Sequence, residues 1–150
     1  MDLNLTISGK NHDFYHALSE QEAKQYSPLT LAFLGDSVYE LMIRRAMIAQ
    51  GNMPVKNLHD AKIRLVCASY QAIASQRLVF SEQEQAVFQR GRNAVTASAV
   101  PKSAKPADYR KATGLEAVFG YLYLSGNTQR LLELFEQIWN MQKEISNNKE

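Results

Sequence analysis

Two acidic residues interrupt stretches of the sequence that are otherwise largely apolar. Asp36 lies within LAFLGDSVYE, and Glu116 lies within TGLEAVFGYLYL. A carboxylate among apolar neighbours is destabilising unless a partner compensates its charge. Two such carboxylates on separate helices would suit a divalent cation, and their hard oxygen ligands favour Mg²⁺. An ion held in this way lowers the pKa of bound water and supports attack on a phosphodiester.

Simpler explanations for these residues remain open at this point. Glu40 shares a helix face with Asp36, and Arg44 follows Glu40 at the i+4 position, where the two would form a solvated ion pair. Glu116 would likewise be satisfied by a nearby arginine or lysine. Gly35 is destabilising inside a helix, by up to about 1 kcal/mol relative to alanine, and close packing against another helix would explain it.

Other catalytic chemistries find little support in the residues. His12, His16 and His59 are scattered without the spacing of zinc ligands. The sequence contains no glycine-rich loop of the kinds that bind nucleotide phosphates. Ser37 has no evident base partner, which argues against a serine nucleophile.

The composition predicts one ordinary globular domain. The chain has 150 residues, of which 45% are hydrophobic and 21% charged, and this length fits a single domain. No apolar run reaches the roughly 18 residues that would span a membrane, and the amino-terminal stretch lacks the pattern of a secretion signal. The single cysteine, Cys67, fits a reducing compartment. We therefore expect a cytoplasmic protein.

The positive charge is concentrated in residues 90–111. This segment carries a net charge of +5, whereas the whole chain carries +2. A local basic segment on an otherwise near-neutral protein indicates contact with a polyanion. The basic residues of this segment are Arg90, Arg92, Lys102, Lys105, Arg110 and Lys111.

Apolar residues recur at helical spacing along most of the chain, and sustained alternation typical of strands is absent. The pattern predicts an all-α single domain. Ser19–Glu22 and Ser81–Glu84 both have the form of a capping box, which marks a helix start. Further helices are predicted at about 31–50, 58–73, 81–92, 108–124 and 131–138, followed by a polar tail.

Four motifs, in the same order, resemble those of the ribonuclease III family. LAFLGDSVYE resembles the family's signature helix with its FLGD core, and LHDAKIRLVCASYQAIASQRL resembles the helix that follows it. FQRGRNA resembles the family's G-R-G turn, and TGLEAVFGYLYLSGN resembles its second acidic helix and the turn closing it. The resemblance covers about residues 28–140 and implies a helical ribonuclease III catalytic domain that occupies residues 1–150.

The departures from the family pattern are also informative. The family usually has a glutamate where this chain has Ala32 and an aspartate where it has Thr113, so two of the four usual acids are replaced. We also expect no double-stranded-RNA-binding domain, because the resemblance to the catalytic domain extends over nearly all of the 150 residues. Both features, together with the long basic segment, are similar to the Mini-ribonuclease III subgroup of bacterial enzymes, which trim the precursor of the large-subunit ribosomal RNA.

The resemblance implies a homodimeric, Mg²⁺-dependent endoribonuclease that cuts the two strands of an RNA duplex. It implies the 23S ribosomal RNA precursor as the substrate, and it makes a ribosomal protein a further candidate partner. Asp36 and Glu116 carry over as catalytic metal ligands, and Glu40 is a weaker candidate. We expect the six basic residues of segment 90–111 to include several RNA phosphate contacts. The alternative is a catalytically silent helical module for RNA binding or dimerisation, which the loss of two acids keeps open.

Overall fold

The protein is described by a computed structural model covering residues 16–147, with side chains described as far as Ile145. Within this range every regular element is a helix, which confirms the all-α prediction. None of the described helices is long and apolar enough to cross a membrane. His12 and most of the stretch on which the prediction about a secretion signal rests lie outside the described residues. The helices are α1 (Glu20–Lys24), α2 (Pro28–Ala49), α3 (Val55–Val66), α4 (Ala68–Arg77), α5 (Glu82–Ala94), α6 (Pro106–Leu124), α7 (Thr128–Asn140) and α8 (Gln142–Asn147), with a 3₁₀ turn at Ala97–Ala99.

Both predicted capping boxes are present. The Ser19 hydroxyl accepts a hydrogen bond from the Glu22 amide while the Glu22 carboxylate accepts one from the Ser19 amide, at the start of α1. Ser81 and Glu84 make the same reciprocal pair at the start of α5. Because these bonds satisfy orphan amides within one turn of the chain, residue type alone was enough to predict them.

Helix α6 forms the centre of the domain. Its middle part is buried on every side, with Leu115, Val118 and Phe119 fully inaccessible to solvent. It packs most extensively against α2, and also against α5 and α4. A helix that is apolar all round is expected in such a central position. A charged side chain in this middle part of α6 is therefore held on a rigid element.

Helices α2 and α6 approach each other most closely at two glycines. A methyl group added at Gly35 would overlap the backbone carbonyl oxygen of Glu116, and one added at Gly120 would overlap the carbonyl oxygen of Leu31. This contact confirms close packing as the reason for Gly35. It also places Asp36, the next residue of α2, near Glu116 of α6.

The prediction of one continuous helix over 58–73 is wrong, because the chain breaks at Cys67. Cys67 adopts an extended backbone conformation (φ −65°, ψ 154°) between α3 and α4. Side chains satisfy the last carbonyl groups of α3: the Tyr39 hydroxyl donates to Leu65 O over 2.7 Å, and the Gln71 amide donates to Val66 O over 2.9 Å. These bonds terminate α3 in place of further helical hydrogen bonds.

A short helix, α8, follows α7 where the sequence predicts only a polar tail. Ile145 is 5% exposed and packs into the hydrophobic core. Arg77 of α4 forms an ion pair with Glu144 over 2.8 Å. Burial of a single apolar side chain thus orders a segment whose composition is otherwise that of a solvated terminus.

Candidate active site

Asp36 of α2 and Glu116 of α6 line the same open cleft, which has a volume of about 310 Å³. The two acids singled out by sequence are therefore brought together from distant parts of the chain. The end of α5 and the segment that follows it also line the cleft. The remaining lining residues are Leu29, Ala32 and Phe33 of α2, Ala94 at the end of α5, Val95, Thr96 and Ala99 between α5 and α6, and Tyr109 and Thr113 of α6.

The environment of the cleft disfavours negative charge on both acids. Burial raises the pKa of Glu116 to about 8, with a further contribution from the nearby Asp36 and a smaller opposing one from a hydrogen bond with Gln71. Partial burial and repulsion from Glu40 raise the pKa of Asp36 above its usual range, although Lys62 opposes this shift. Among the described residues neither carboxylate forms an ion pair, and Lys62 offsets the shift at Asp36 only in part.

We expect the metal-free protein to lose stability as pH rises from about 4.5 to about 8. The folded-state pKa of Glu116 is about 8 against an ordinary value of 4.5, so the folded state retains a proton that the unfolded state releases. The stabilisation of the folded state by this retained proton is therefore complete below pH 4.5, and it is lost as pH rises through about 8. Melting curves recorded in EDTA across this range measure the effect.

The variant Glu116→Gln should melt at least about 3 °C above the wild type near pH 8 and should show a flatter pH dependence. Glu136→Gln, which removes an exposed carboxylate from α7, is the matched control and should keep the wild-type profile. Identical pH profiles for the wild type and Glu116→Gln would contradict the assigned shift.

In the part of the chain that the structure describes, Glu116 does not have the arginine or lysine partner that the simpler explanation proposes. Among the described residues, its carboxylate accepts a hydrogen bond from Gln71 Nε2 over 3.2 Å. Gln71 is 2% exposed and lies on α4. Sequence analysis missed this residue because a glutamine in a helix carries no signal that it contacts another helix 45 positions further along the chain.

Two ion pairs compensate the negative charge of Glu40. Its carboxylate lies 3.2 Å from Arg44 Nη2 and 3.2 Å from Lys62 Nζ. The i+4 pair with Arg44 was predicted from spacing, whereas Lys62 of α3 was not. Glu40 is not among the residues that line the cleft. Its carboxylate is thus neutralised beside the cleft rather than facing into it.

The two positions where the usual acids are replaced also line the cleft. Ala32 offers no polar group, and the Thr113 hydroxyl donates to Tyr109 O over 3.0 Å within its own helix. Within residues 16–147, no group of three or more His, Cys, Asp or Glu side chains is arranged to hold a metal. Two carboxylates that share an open cleft nevertheless fit Mg²⁺, which takes hard oxygen ligands and usually keeps several of its waters.

A second, basic cleft adjoins the acidic one. It has a volume of about 590 Å³ and is lined by Arg92, Arg110 and Lys111 together with Asn93, Val95 and Ala107. Val95 lines both clefts, so they share a wall. Three of the six basic residues predicted to bind RNA are therefore gathered beside the acids.

The other three basic residues lie apart from this cleft. Arg90 donates a hydrogen bond to Lys24 O over 3.3 Å and so contacts the end of α1. Lys102 and Lys105 are exposed on the segment between the 3₁₀ turn and α6. Both side chains face solvent. The basic cleft is lined instead by the end of α5, by Val95 and by the start of α6, which flank this segment in the sequence.

Comparison with known proteins identifies the family. The model of the ribonuclease III domain matches residues 29–127. The chain belongs to the ribonuclease III family. The match spans α2 to the turn after α6 and so contains both clefts. Membership of this family confirms the prediction of an endoribonuclease.

The relatives agree with the Mini-ribonuclease III subgroup. "Mini-ribonuclease 3" of Symbiobacterium thermophilum is 47% identical over 111 residues, which are 73% of this chain and 85% of that protein. The protein of the same name from a Thermoanaerobacter species is 42% identical over 121 residues, covering 79% of this chain and 84% of the relative. A crystal structure of a Fusobacterium nucleatum protein matches with a TM-score of 0.70 at 28% identity, covering 79% of this chain and 96% of that one. The resemblance to this subgroup of the ribonuclease III family is confirmed.

Proposed function

We propose that this protein is a Mg²⁺-dependent cytoplasmic endoribonuclease that cleaves double-stranded RNA and matures the ends of the 23S ribosomal RNA precursor. The observation that carries the proposal is the pair of Asp36 and Glu116 on one open cleft, each with a raised pKa and neither held by a basic side chain. Membership of the ribonuclease III family and relatives named Mini-ribonuclease 3 support it.

The metal ligands in this proposal are the two carboxylates of the cleft. When bound, Mg²⁺ supplies positive charge to the phosphate oxygens and acidifies a bound water. Asp36 is exposed at the mouth of the cleft, whereas Glu116 is half-buried on the central helix. Glu116 therefore provides a rigid ligand, and Asp36 provides one that is accessible to an incoming RNA backbone. A cation held by these two residues would relieve the mutual repulsion of their carboxylates.

The basic residues supply the RNA-binding surface in this proposal. Arg92, Arg110 and Lys111 share a cleft with a wall in common with the acidic cleft. Duplex RNA is recognised mainly through its shape, phosphates and 2′-hydroxyl groups, and cationic side chains contribute most of the sequence-independent affinity. Arg90, Lys102 and Lys105 would extend this surface along the RNA.

We expect the double variant Lys102→Ala/Lys105→Ala to bind duplex RNA with a weaker dependence on salt. Removing one lysine–phosphate interaction should reduce the slope of log affinity against log salt concentration by about 1. Fluorescence anisotropy of a labelled duplex in EDTA, which suppresses cleavage, measures the slope. Lys56→Ala/Lys143→Ala removes the same charge from α3 and α8 and is the matched control. An equal change of slope in both double variants would contradict the assignment.

We further propose that two copies of the chain associate beside the cleft. Phe33 is 83% exposed and Leu29 is 48% exposed, and both line the cleft next to Asp36. Large apolar side chains grouped at one place on a surface are typical of an interaction site. A homodimer would cover them and would provide one acidic cleft for each RNA strand. Analytical ultracentrifugation should then give twice the mass of one chain, whereas a single-chain mass would contradict this proposal.

Substrate selectivity tests the proposed function. In Mg²⁺ we expect cleavage of an RNA duplex, and much slower cleavage of either strand alone. RNA carrying the paired ends of a 23S precursor should be cut at discrete positions within the paired region. A matched precursor in which mutations on one side abolish the pairing is the control. Cleavage of the unpaired control at the same rate would contradict the assignment of duplex RNA as substrate.

A further inference from the structure

Gln71 is a buried amide that connects the break between α3 and α4 to the carboxylate of Glu116. We propose that Gln71 is a positioning residue that holds the Glu116 carboxylate in the orientation required to bind the catalytic cation. The inference rests on the proposed function, because it concerns the cation that Asp36 and Glu116 would hold. Gln71 itself does not line the cleft.

The Gln71 amide group is fixed at two points. Its Nε2 donates to the backbone carbonyl oxygen of Val66 over 2.9 Å and to Glu116 Oε1 over 3.2 Å, which occupies both of its protons. Val66 is the last residue of α3, so the amide is anchored to helix backbone. With 2% of Gln71 exposed, water has little access to compete for these bonds. Glu116 is thereby tied to a rigid part of the domain on the side away from solvent.

The orientation of this amide is determined by its two acceptors. Exchanging its oxygen and nitrogen would direct Gln71 Oε1 at the Val66 carbonyl and at the Glu116 carboxylate, which are both acceptors when Glu116 is ionised. The observed orientation leaves Gln71 Oε1 buried without a hydrogen-bond partner among the described residues. A buried unsatisfied acceptor is destabilising.

An apolar side chain at position 71 would avoid the unsatisfied oxygen. The end of α3 accounts for the bond to Val66 O but not for the second bond, which Gln71 donates to Glu116. Orientation of the Glu116 carboxylate does explain it, because residues that hydrogen-bond to metal ligands fix their orientation and tune their affinity. Gln71 also supplies part of the bonding that ends α3, so the helix break and the acidic cleft depend on one side chain.

The test uses the whole chain and Mn²⁺ as the probe, followed by electron paramagnetic resonance of the free ion. Gln71→Met keeps the length of the side chain and removes its donor. We expect its Mn²⁺ affinity to fall about tenfold or more, with a melting temperature in EDTA close to that of the wild type, because removal of the unsatisfied Oε1 offsets loss of the bond to Val66 O. Gln71→Leu, a second apolar variant, should reproduce both results. The cleavage rate of an RNA duplex at limiting Mg²⁺ should fall in parallel.

Ser75→Ala is the matched control, because Ser75 is buried on the same helix and its hydroxyl donates to Ala72 O over 2.7 Å, away from Glu116. Its Mn²⁺ affinity should equal that of the wild type. Wild-type Mn²⁺ affinity in stably folded Gln71→Met would overturn the inference and leave the proposed function intact. A fall in affinity matched by a fall in melting temperature would also overturn it, by showing a structural role. A wild-type protein that neither binds Mn²⁺ nor cleaves duplex RNA in Mg²⁺ would overturn the proposed function and this inference together.

Discussion

Replacing Asp36 by asparagine should reduce the rate of RNA-duplex cleavage by about 10³-fold or more, because stabilisation of transition-state charge by a bound metal is worth several kcal/mol. The amide keeps the size of the side chain but removes the charge that would bind the ion. Asp36 is largely exposed, and its partial burial together with Glu40 raises its pKa, so the variant should fold at least as stably as the wild type in EDTA. Single-turnover cleavage assays and melting curves measure the two effects.

A matched control for this variant is Asp60→Asn, which removes the same charge from an exposed position on α3 outside the cleft. Its cleavage rate should stay within a few-fold of the wild type. Glu116→Gln should reduce the rate about as much as Asp36→Asn does, since both carboxylates line the cleft. Cleavage by Asp36→Asn at the wild-type rate would remove Asp36 from the proposed site.

The variant Gly35→Ala should lower the free energy of unfolding by about 3 kcal/mol or more, towards the upper end of single-substitution effects. The added methyl group would overlap the carbonyl oxygen of Glu116, which belongs to the backbone of the central helix and cannot rotate away. Relief of the overlap requires α2 and α6 to separate. Because the same contact sets Asp36 beside Glu116, any folded fraction should also cleave RNA more slowly. Urea denaturation followed by circular dichroism measures the stability.

The control for Gly35→Ala is Ser37→Ala, an exposed position two residues further along α2. Its free energy of unfolding should stay within about 0.5 kcal/mol of the wild type. Intrinsic helix propensity predicts that Gly35→Ala stabilises the protein by up to about 1 kcal/mol. An unfolding free energy equal to or above that of the wild type would show that α2 and α6 are not in close contact at this point.

The features that sequence analysis predicted correctly depend on local chemistry or on a long apolar period. Capping boxes at Ser19 and Ser81 form within one turn, so residue types and spacing suffice. The long helices α2 and α6 carry sustained apolar patterns, and an acid within each is visible for that reason. The role of Gly35 was also predicted, because a glycine within a long apolar helix is most simply explained by a close neighbour.

The features that sequence analysis missed depend on contacts between distant residues. The break at Cys67 is stabilised by Tyr39 and Gln71, and the Tyr39 hydroxyl donates to Leu65, 26 positions further along the chain. Helix α8 is ordered because Ile145 packs into the hydrophobic core, a contact that exists only in the folded domain. The apolar period across 58–73 continues through the break, so periodicity alone gives no sign that the helix ends there.

The partner of Glu116 illustrates the same limit at the level of the site. A carboxylate among apolar residues suggests a cationic partner, so residue types alone favour an arginine or a lysine beside Glu116. The structure instead provides a neutral amide, which orients the carboxylate without cancelling its charge. Glu40, by contrast, has two cationic partners and is neutralised. The distinction between these two acids depends on which side chains face them in three dimensions.

The most direct test of the proposed function is cleavage of a long RNA duplex by the wild-type protein in Mg²⁺, in EDTA, and in EDTA followed by excess Mg²⁺. We predict discrete fragments in Mg²⁺, no fragments in EDTA, and recovery of cleavage when Mg²⁺ is restored. Tight binding of the duplex without cleavage in Mg²⁺, including with 23S precursor RNA, would contradict the proposal and would indicate a catalytically silent helical module for RNA binding or dimerisation.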